Sequence, residues 1–273
     1  MTQFDRHLAA ESELDFTIYY RSTRGKFLEI LQSLECEPFS SLLEIGTSEF
    51  PFLLKRVRGD LQLSTLNLTP PQSRWCVTDG VECLVGDVLA PPLPVPDASQ
   101  DVIVFSEVLE HLQGNPRLAF GEFARVLKPG GRLIITTPNL GRYRTRVKLL
   151  LGISPMEPVG GLDWCGHFRE YTRAEVINFC VTAGLEIVRA DFPMYWDTVD
   201  QYLDGGRRGY VNGRFYYRPY FTGLTRVLVR PALHVLEGLL RLLPVFRYAM
   251  LVVARRPGES APVLATGGRH RAQ

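Results

Sequence analysis

The chain has 273 residues, 45% hydrophobic and 22% charged, and its 31 Lys and Arg against 29 Asp and Glu leave a net charge of +2. That is enough for one large domain, or a domain with an appended lobe, around a real core. The near balance of charge lacks the basic excess of a dedicated nucleic-acid binder, and no apolar run approaches the roughly 18 residues of a membrane span.

Five cysteines, Cys36, Cys76, Cys83, Cys165 and Cys180, are scattered and never spaced as CxxC. This favours reduced, mostly buried thiols over a disulfide framework or a zinc site. The start, MTQFDRHLAAESELDF, carries acids and no apolar stretch, unlike a signal or transit peptide. Together these features lead to the expectation of a cytoplasmic protein.

Residues 16–35 read as a helix, with Phe27, Leu28, Ile30, Leu31 and Leu34 in an apolar stripe. Leu42 to Ile45 is a short strand ending in a glycine turn. A second helix follows from about Glu49 to Val57, with Pro51 tolerated in its first turn. Leu61 to Leu68 and Val81 to Val85 are strands, the latter closed by Gly86-Asp87. APPLPVPDAS is a loop, and Asp101 to Ser106 is nearly all apolar, like a strand buried on both faces. Asn115 and Pro116 are placed as the cap and first residue of a helix to about Leu127. KPGG, Lys128 to Gly131, turns the chain into a strand from Arg132 to Thr137. Thr172 and Glu175 have capping-box spacing, opening a helix that Gly184 closes. Leu185 to Ala190 and Tyr248 to Ala254 are the last strands. Strands alternating with helices predict an α/β domain with a mainly parallel sheet.

In such a sheet ligands bind beyond the carboxyl ends of the strands, where the strand order reverses. Those ends carry Glu44-Ile45-Gly46, Asn67, Asp87 and Ser106-Glu107. The set offers close backbone approach at a glycine, acceptors for ribose hydroxyls and an acid for an adenine amino group, as a nucleoside ligand requires.

LLEIGTSEF resembles the first motif of class I S-adenosylmethionine-dependent methyltransferases, and LVGD their adenine-facing acid segment. DVIVFSEVLEHL followed by FARVLKPGGRLIITTPN resembles the signature after strands four and five in the small-molecule branch. HFREYTRAEVINFCVTAGLEIV is similar to that branch's downstream helix–strand unit. The resemblance spans roughly residues 40–190 and the strand near 248–254. It implies a Rossmann-like three-layer sandwich: a seven-stranded, mainly parallel sheet with an antiparallel last strand, and a helical insert before that strand. It divides the chain into an N-terminal helical cap (1–38), a cofactor-binding core (39–190), a helical and aromatic substrate insert (191–247), a final core strand (248–256) and a disordered tail (257–273).

The cofactor implied is S-adenosyl-L-methionine. Glu44 and Gly46, with Thr47 and Ser48 in the same turn, border its methionine moiety and ribose. Asn67 stands where the family has a ribose-gripping acid, Asp87 with the Val88 backbone meets adenine, and Ser106 and Glu107 line the floor near the sulfonium. Ser48 and Phe50 stand where the family's first motif has further glycines.

Methyl transfer needs aligned reactants, worth about 7–11 kcal/mol, and for an oxygen nucleophile a base worth about 10²–10⁴-fold. His111, one helical turn beyond Glu107, is either that base or a residue tying its helix to the next loop. The loop after the fifth strand offers Asn139, Asp163, Trp164, His167 and Tyr171. Asp163 or His167 orients or deprotonates a hydroxyl, or else Trp164 packs the loop while His167 and Arg169 pair locally. Glu110 reads as a solvated helix residue. With no evident grouping of acids, no metal site is expected.

Residues 191–247 exceed a simple crossover, and RRGYVNGRFYYRPYF interleaves arginines with aromatic rings. The mixture suits a small-molecule acceptor such as a sugar or nucleotide-sugar; single-stranded RNA is disfavoured by the near-neutral charge. LTRVLVRPALHVLEGLLRLLPVF reads as two short helices broken by Pro231. Residues 222–246 then cover the sheet, form a homodimer interface, or make peripheral contact with a membrane or lipid substrate.

The function expected is methyl transfer to an oxygen or nitrogen of a small molecule, most of all a saccharide or secondary metabolite. A nicotinamide oxidoreductase would want GxGxxG where this chain has GTSEFP. A non-catalytic partner subunit with a degraded site is the third class, supported by Ser48, Phe50 and Asn67.

Overall fold

The computed structural model describes residues 17–69, 80–156, 166–194, 206–211, 214–219 and 222–258. Helix α1 (Thr17–Glu35) leads to β1 (Ser41–Ile45), α2 (Phe50–Val57), β2 (Gln62–Asn67), β3 (Glu82–Val85) and β4 (Gln100–Ser106). A 3-10 turn at Leu109–His111 precedes α3 (Arg117–Val126), β5 (Leu127–Pro138), α4 (Tyr143–Leu150), α5 (Arg173–Thr182) and β6 (Glu186–Asp191). Then come a hairpin of β7 (Gly206–Val211) and β8 (Arg214–Pro219), helix α6 (Gly223–Leu242), a 3-10 turn at Pro244–Phe246, and β9 (Ala249–Arg255).

Seven strands form one sheet in the order β3-β2-β1-β4-β5-β9-β6. Pairings from β3 to β5 are parallel, and β9 runs antiparallel to both β5 and β6, the arrangement the resemblance implies. Alternating side chains of the central strands feed two cores. From β4, Val102 and Val104 join Phe27, Ile30, Phe50 and Phe52 of α1 and α2. Ile103 and Phe105 join Phe120, Phe123 and Val176 of α3 and α5 on the other face. A strand covered on both faces is apolar at every position, which is why DVIVFS shows no alternation.

The amino ends of the strands are knitted by Asp101. It accepts hydrogen bonds from the Ser40 and Ser41 amides at 3.0 and 2.9 Å and pairs with Lys128 at 2.8 Å. Burial pushes its carboxyl up, but the bonds from Lys128 and Ser40 outweigh burial and hold it well below the usual carboxylate range. KPGG is a bulge inside β5 and not a turn ahead of it, since Gln100 pairs with Leu127 and Val102 with Arg132. A Cβ on Gly131 would sit 2.8 Å from the Lys128 carbonyl oxygen, so the bulge closes only around glycine.

Several expectations need correction. Helix α3 is capped by Pro116 and starts at Arg117, while the Asn115 side chain accepts the Arg117 amide at 3.2 Å. The insert is not helical throughout: β7 and β8 pair antiparallel from Gly206↔Pro219 to Val211↔Arg214, and their arginine and aromatic side chains lie outside the described set. Helix α6 is continuous through Pro231. That proline sits on an exposed stretch, where water can take up the carbonyl it leaves unpaired. Nor does α6 cover the sheet. Leu240 is its only buried hydrophobic residue among the described ones, and Leu224, Val227, Leu228, Val235, Leu239 and Leu242 are 51% to 78% exposed. Cys36 and Cys180 are free thiols, but Cys83 is disulfide-bonded, so not every thiol is reduced. No helix among the described residues is long and apolar enough to cross a membrane.

Candidate cofactor and acceptor site

The strand order reverses between β1 and β4, which opens the crevice beyond their carboxyl ends. Gly46 leaves β1 with φ +81° and donates its amide to the Leu66 carbonyl at 2.8 Å. A Cβ there would lie 2.9 Å from Val108 Cγ2, so both conformation and space demand glycine, and the turn leaves bare backbone. Glu44, 2% exposed, accepts the Ser48 amide at 2.9 Å and the Ser48 hydroxyl at 2.5 Å. Burial pushes its carboxyl up to about 7, against those bonds and the attraction of Lys26. The departures from the first motif thus have structural roles. Ser48 caps Glu44, and Phe50 packs its ring 5.4 Å from that of Phe27.

Asn67 Nδ2 donates to Thr47 Oγ1 at 2.5 Å and the Asn67 carbonyl accepts the Gly86 amide at 2.8 Å, joining the turns that follow β1 and β3. Asp87 Oδ1 accepts the Leu89 amide at 2.8 Å, which fixes the carboxylate while the Val88 side chain enters the core. Past β4, the hydroxyls of Ser106 and Thr136 share a hydrogen bond of 2.8 Å. Glu107 donates its amide to the Thr136 carbonyl at 2.8 Å and adopts φ +54°, an unusual conformation for a residue with a side chain. The residues named from sequence for the cofactor therefore gather along one rim.

The acceptor side is a second wall. Glu107 and His111 are joined by the 3-10 turn rather than by a regular helical turn. Glu110 is 0% exposed, which overturns its reading as a solvated residue; Arg169 of the returning loop donates its amide to the Glu110 carbonyl at 3.1 Å. Glu110 Oε2 accepts Thr137 Oγ1 at 2.8 Å, whereas Oε1 has no hydrogen-bond partner and stands 3.9 Å from His111 Nε2. Burial, and then the neighbouring Glu107 carboxylate, push the Glu110 carboxyl above the usual range.

His111 Nδ1 bonds the Gly166 carbonyl at 3.1 Å, the tie to the next loop that one sequence reading expects. His167 lies edge-on to His111 with ring centroids 5.1 Å apart, and its Nδ1 bonds Glu170 Oε1 at 3.0 Å. Glu170 also receives both terminal nitrogens of Arg142, whose guanidinium lies 4.9 Å from the Tyr248 ring centroid. Burial pushes the Glu170 carboxyl up, but the bonds from His167 and Arg142 prevail and hold it low. Burial, and then Glu107, push the Tyr248 phenol up.

The loop residues separate. Asn139 is structural: it is 2% exposed and sends its side-chain amide to the Val245 and Arg247 carbonyls at 2.9 Å. Tyr171 is buried against Phe179. Asp163 and Trp164 lie outside the described residues. Arg142, Glu170 and Tyr248 belong to the wall without having been singled out from sequence, and Glu110, read there as solvated, joins them. One signal for Glu110 was present, because its spacing of three from Glu107 places both on one side of a turn. The structure also assembles an acid–histidine group, Glu110, His111 and His167, that no local grouping of acids announces.

Residues 44–135 match a family model described as a methyltransferase domain. A "Probable S-adenosylmethionine-dependent methyltransferase" of Mycolicibacterium smegmatis is 38% identical over 96 residues, 35% of this chain and 32% of that protein. A malonyl-[acyl-carrier protein] O-methyltransferase of Hahella chejuensis is 35% identical over 131 residues, 47% of each chain. The chain thus spans a third to a half of the length of these relatives. In fold, it is similar to the methyltransferase solved in complex with the Haloferax volcanii Trm112 methyltransferase activator. The TM-score is 0.54 at 19% identity, over 94% of this chain and 99% of that one. The family match runs from Glu44 to Ile135 and so takes in every strand end of the rim, and over these residues the chain is similar to a methyltransferase domain.

Proposed function

We propose that the chain methylates an oxygen or nitrogen nucleophile of a small molecule, with a saccharide or secondary metabolite as the acceptor. The observation that carries the reading is the turn at Gly46, where a positive φ and the contact with Val108 exclude a side chain and leave bare backbone at the end of β1. When bound, S-adenosylmethionine supplies a methyl group on a positively charged sulfur. Glu44, Gly46, Thr47 and Ser48 hold its methionine end and ribose, Asn67 its ribose, and Asp87 with the Val88 backbone its adenine. Ser106 and Glu107 floor the reacting end, and His111 and His167 face the acceptor; Asp163 is assigned to the same side. Because a carbonyl or carboxylate oxygen only accepts, each imidazole donates from Nδ1. Residues 191–247 select the acceptor. The exposed apolar side chains of α6 favour one further version, in which the acceptor is lipid-linked and met at a membrane surface. The malonyl-[acyl-carrier protein] O-methyltransferase of Hahella chejuensis matches less than half of this chain, and a shared fold does not choose the acceptor.

Calorimetry with S-adenosylhomocysteine tests the reading. The chain should bind it in the micromolar range, and Gly46→Val should bind none. No heat and no thermal shift at millimolar cofactor would sink it. An acceptor screen with labelled S-adenosylmethionine, weighted toward sugars and phenols, then identifies the substrate.

A further inference from the structure

We propose that Glu110, His111 and His167 bind a divalent first-row cation at the acceptor end of the crevice. One donor atom from each residue lies within 4.8 Å of the other two. Bonds of about 2.1 Å place donors around one ion up to about 4.2 Å apart, so movements of roughly half an ångström close the set.

A second observation points to a cation. Glu110 is 0% exposed, yet its Oε1, on the side of His111 Nε2, accepts no hydrogen bond. Oε1 of the neighbouring Glu107 is likewise buried without a partner, and among the described residues no Lys or Arg pairs with either acid. Buried carboxylate oxygens are costly unless a donor or a metal completes them. Thr137 already holds the other Glu110 oxygen, which fixes the plane of the carboxylate.

The imidazoles are oriented as ligand histidines are. Each bonds through Nδ1 to a carbonyl or carboxylate, Gly166 at 3.1 Å and Glu170 at 3.0 Å, the kind of second partner that fixes the ring of a ligand histidine. Arg142 in turn holds Glu170. Two imidazoles and a carboxylate suit Mn²⁺, Fe²⁺, Co²⁺ or Zn²⁺ better than Mg²⁺ or Ca²⁺. Three protein donors leave coordination positions open, and an acceptor hydroxyl bound there would lose its proton more readily. That role rests on the methyl-transfer reading above; the cation site does not. It favours an oxygen nucleophile over nitrogen and makes His111 a ligand instead of the base.

The test is Mn²⁺ titration of the chelator-stripped full chain, followed by electron paramagnetic resonance. One equivalent should bind, and electron spin echo spectra of the unaltered protein should show nitrogen modulation from imidazole. His167→Ala and Glu110→Gln should each weaken uptake at least about tenfold while S-adenosylhomocysteine affinity stays unchanged. No uptake at millimolar Mn²⁺, uptake without the nitrogen signature, or equal uptake by both variants would overturn the site. Uptake with the signature in a chain that does not bind S-adenosylhomocysteine would support the site and sink the methyl-transfer reading.

Discussion

The rim and the wall of the crevice are built on different terms. On the rim the chain completes its own polar groups: Glu44 closes on Ser48, Asn67 on Thr47, and Asp87 on the Leu89 amide. Where the rim meets the wall at Glu107, and on the wall at Glu110, a buried oxygen is left without a hydrogen bond, and Glu107 holds a left-handed backbone. A self-satisfied rim is shaped before any ligand arrives. A wall with strain and uncompensated acid is stable only because the sheet and the returning loop hold it, which is where chemistry is expected.

The largest test of this difference is Arg142→Ala. Arg142 and Glu170 are 13% and 5% exposed, and removing the guanidinium leaves a buried carboxylate with His167 as its remaining partner. Breaking such a pair costs about 3–5 kcal/mol, or roughly 6–20 °C in melting temperature for a chain of this size. S-adenosylhomocysteine affinity of the folded variant should change by less than about twofold, because the rim does not depend on the wall. An unchanged melting temperature would show that the ion pair does not hold the wall together.

The rim can be probed through pH. The Glu44 carboxyl titrates near 7 in the folded chain against a usual value of 4.5, so between these the folded state binds more protons than the unfolded one. Stability from this group is therefore complete below 4.5 and falls as pH rises toward 7, by up to about 3 kcal/mol. Glu44→Gln keeps an acceptor for the Ser48 amide and removes the titration. In urea melts across this window the unaltered chain should lose stability relative to the variant as pH rises. A gap between the two that is independent of pH would mean that Glu44 is ionised throughout.

The same contrast governs what could be read from residues alone. The sheet was legible because its signals are local: DVIVFS buried on both faces, Thr172 and Glu175 in a capping box, glycines at the strand ends. The rim followed from the sheet, since a residue just past a parallel strand falls at the crevice wherever the rest of the chain goes. The wall did not follow. Nothing in EVLEHL marks Glu110 as buried, because what covers it returns from the loop carrying Arg169. KPGG, the most recognisable unit, lies at the amino end of the sheet and serves the bulge and the Asp101 pair, so it carries the resemblance without touching the chemistry. In the insert, Asn212-Gly213 between two aromatic runs is a hairpin signal, one that a reading of those runs as ligand contacts passes over.

The smallest expected effect sharpens the rim. Asp87→Ala removes the carboxylate assigned to adenine together with the bond to the Leu89 amide. A hydrogen bond to a charged group contributes about 1.5–3 kcal/mol, so S-adenosylhomocysteine affinity should fall about 10- to 100-fold. Loss of the turn bond itself should cost about 1 kcal/mol of stability, a shift of roughly 2–4 °C. Mn²⁺ uptake at the wall should be untouched, since the bond removed lies in the turn after β3, whereas Glu110 and His111 follow β4 and His167 belongs to the returning loop. Calorimetry reads the first effect and a thermal melt the second. An unchanged dissociation constant would place adenine elsewhere on the rim, and an equal loss of cofactor and Mn²⁺ would show that rim and wall form one cooperative unit.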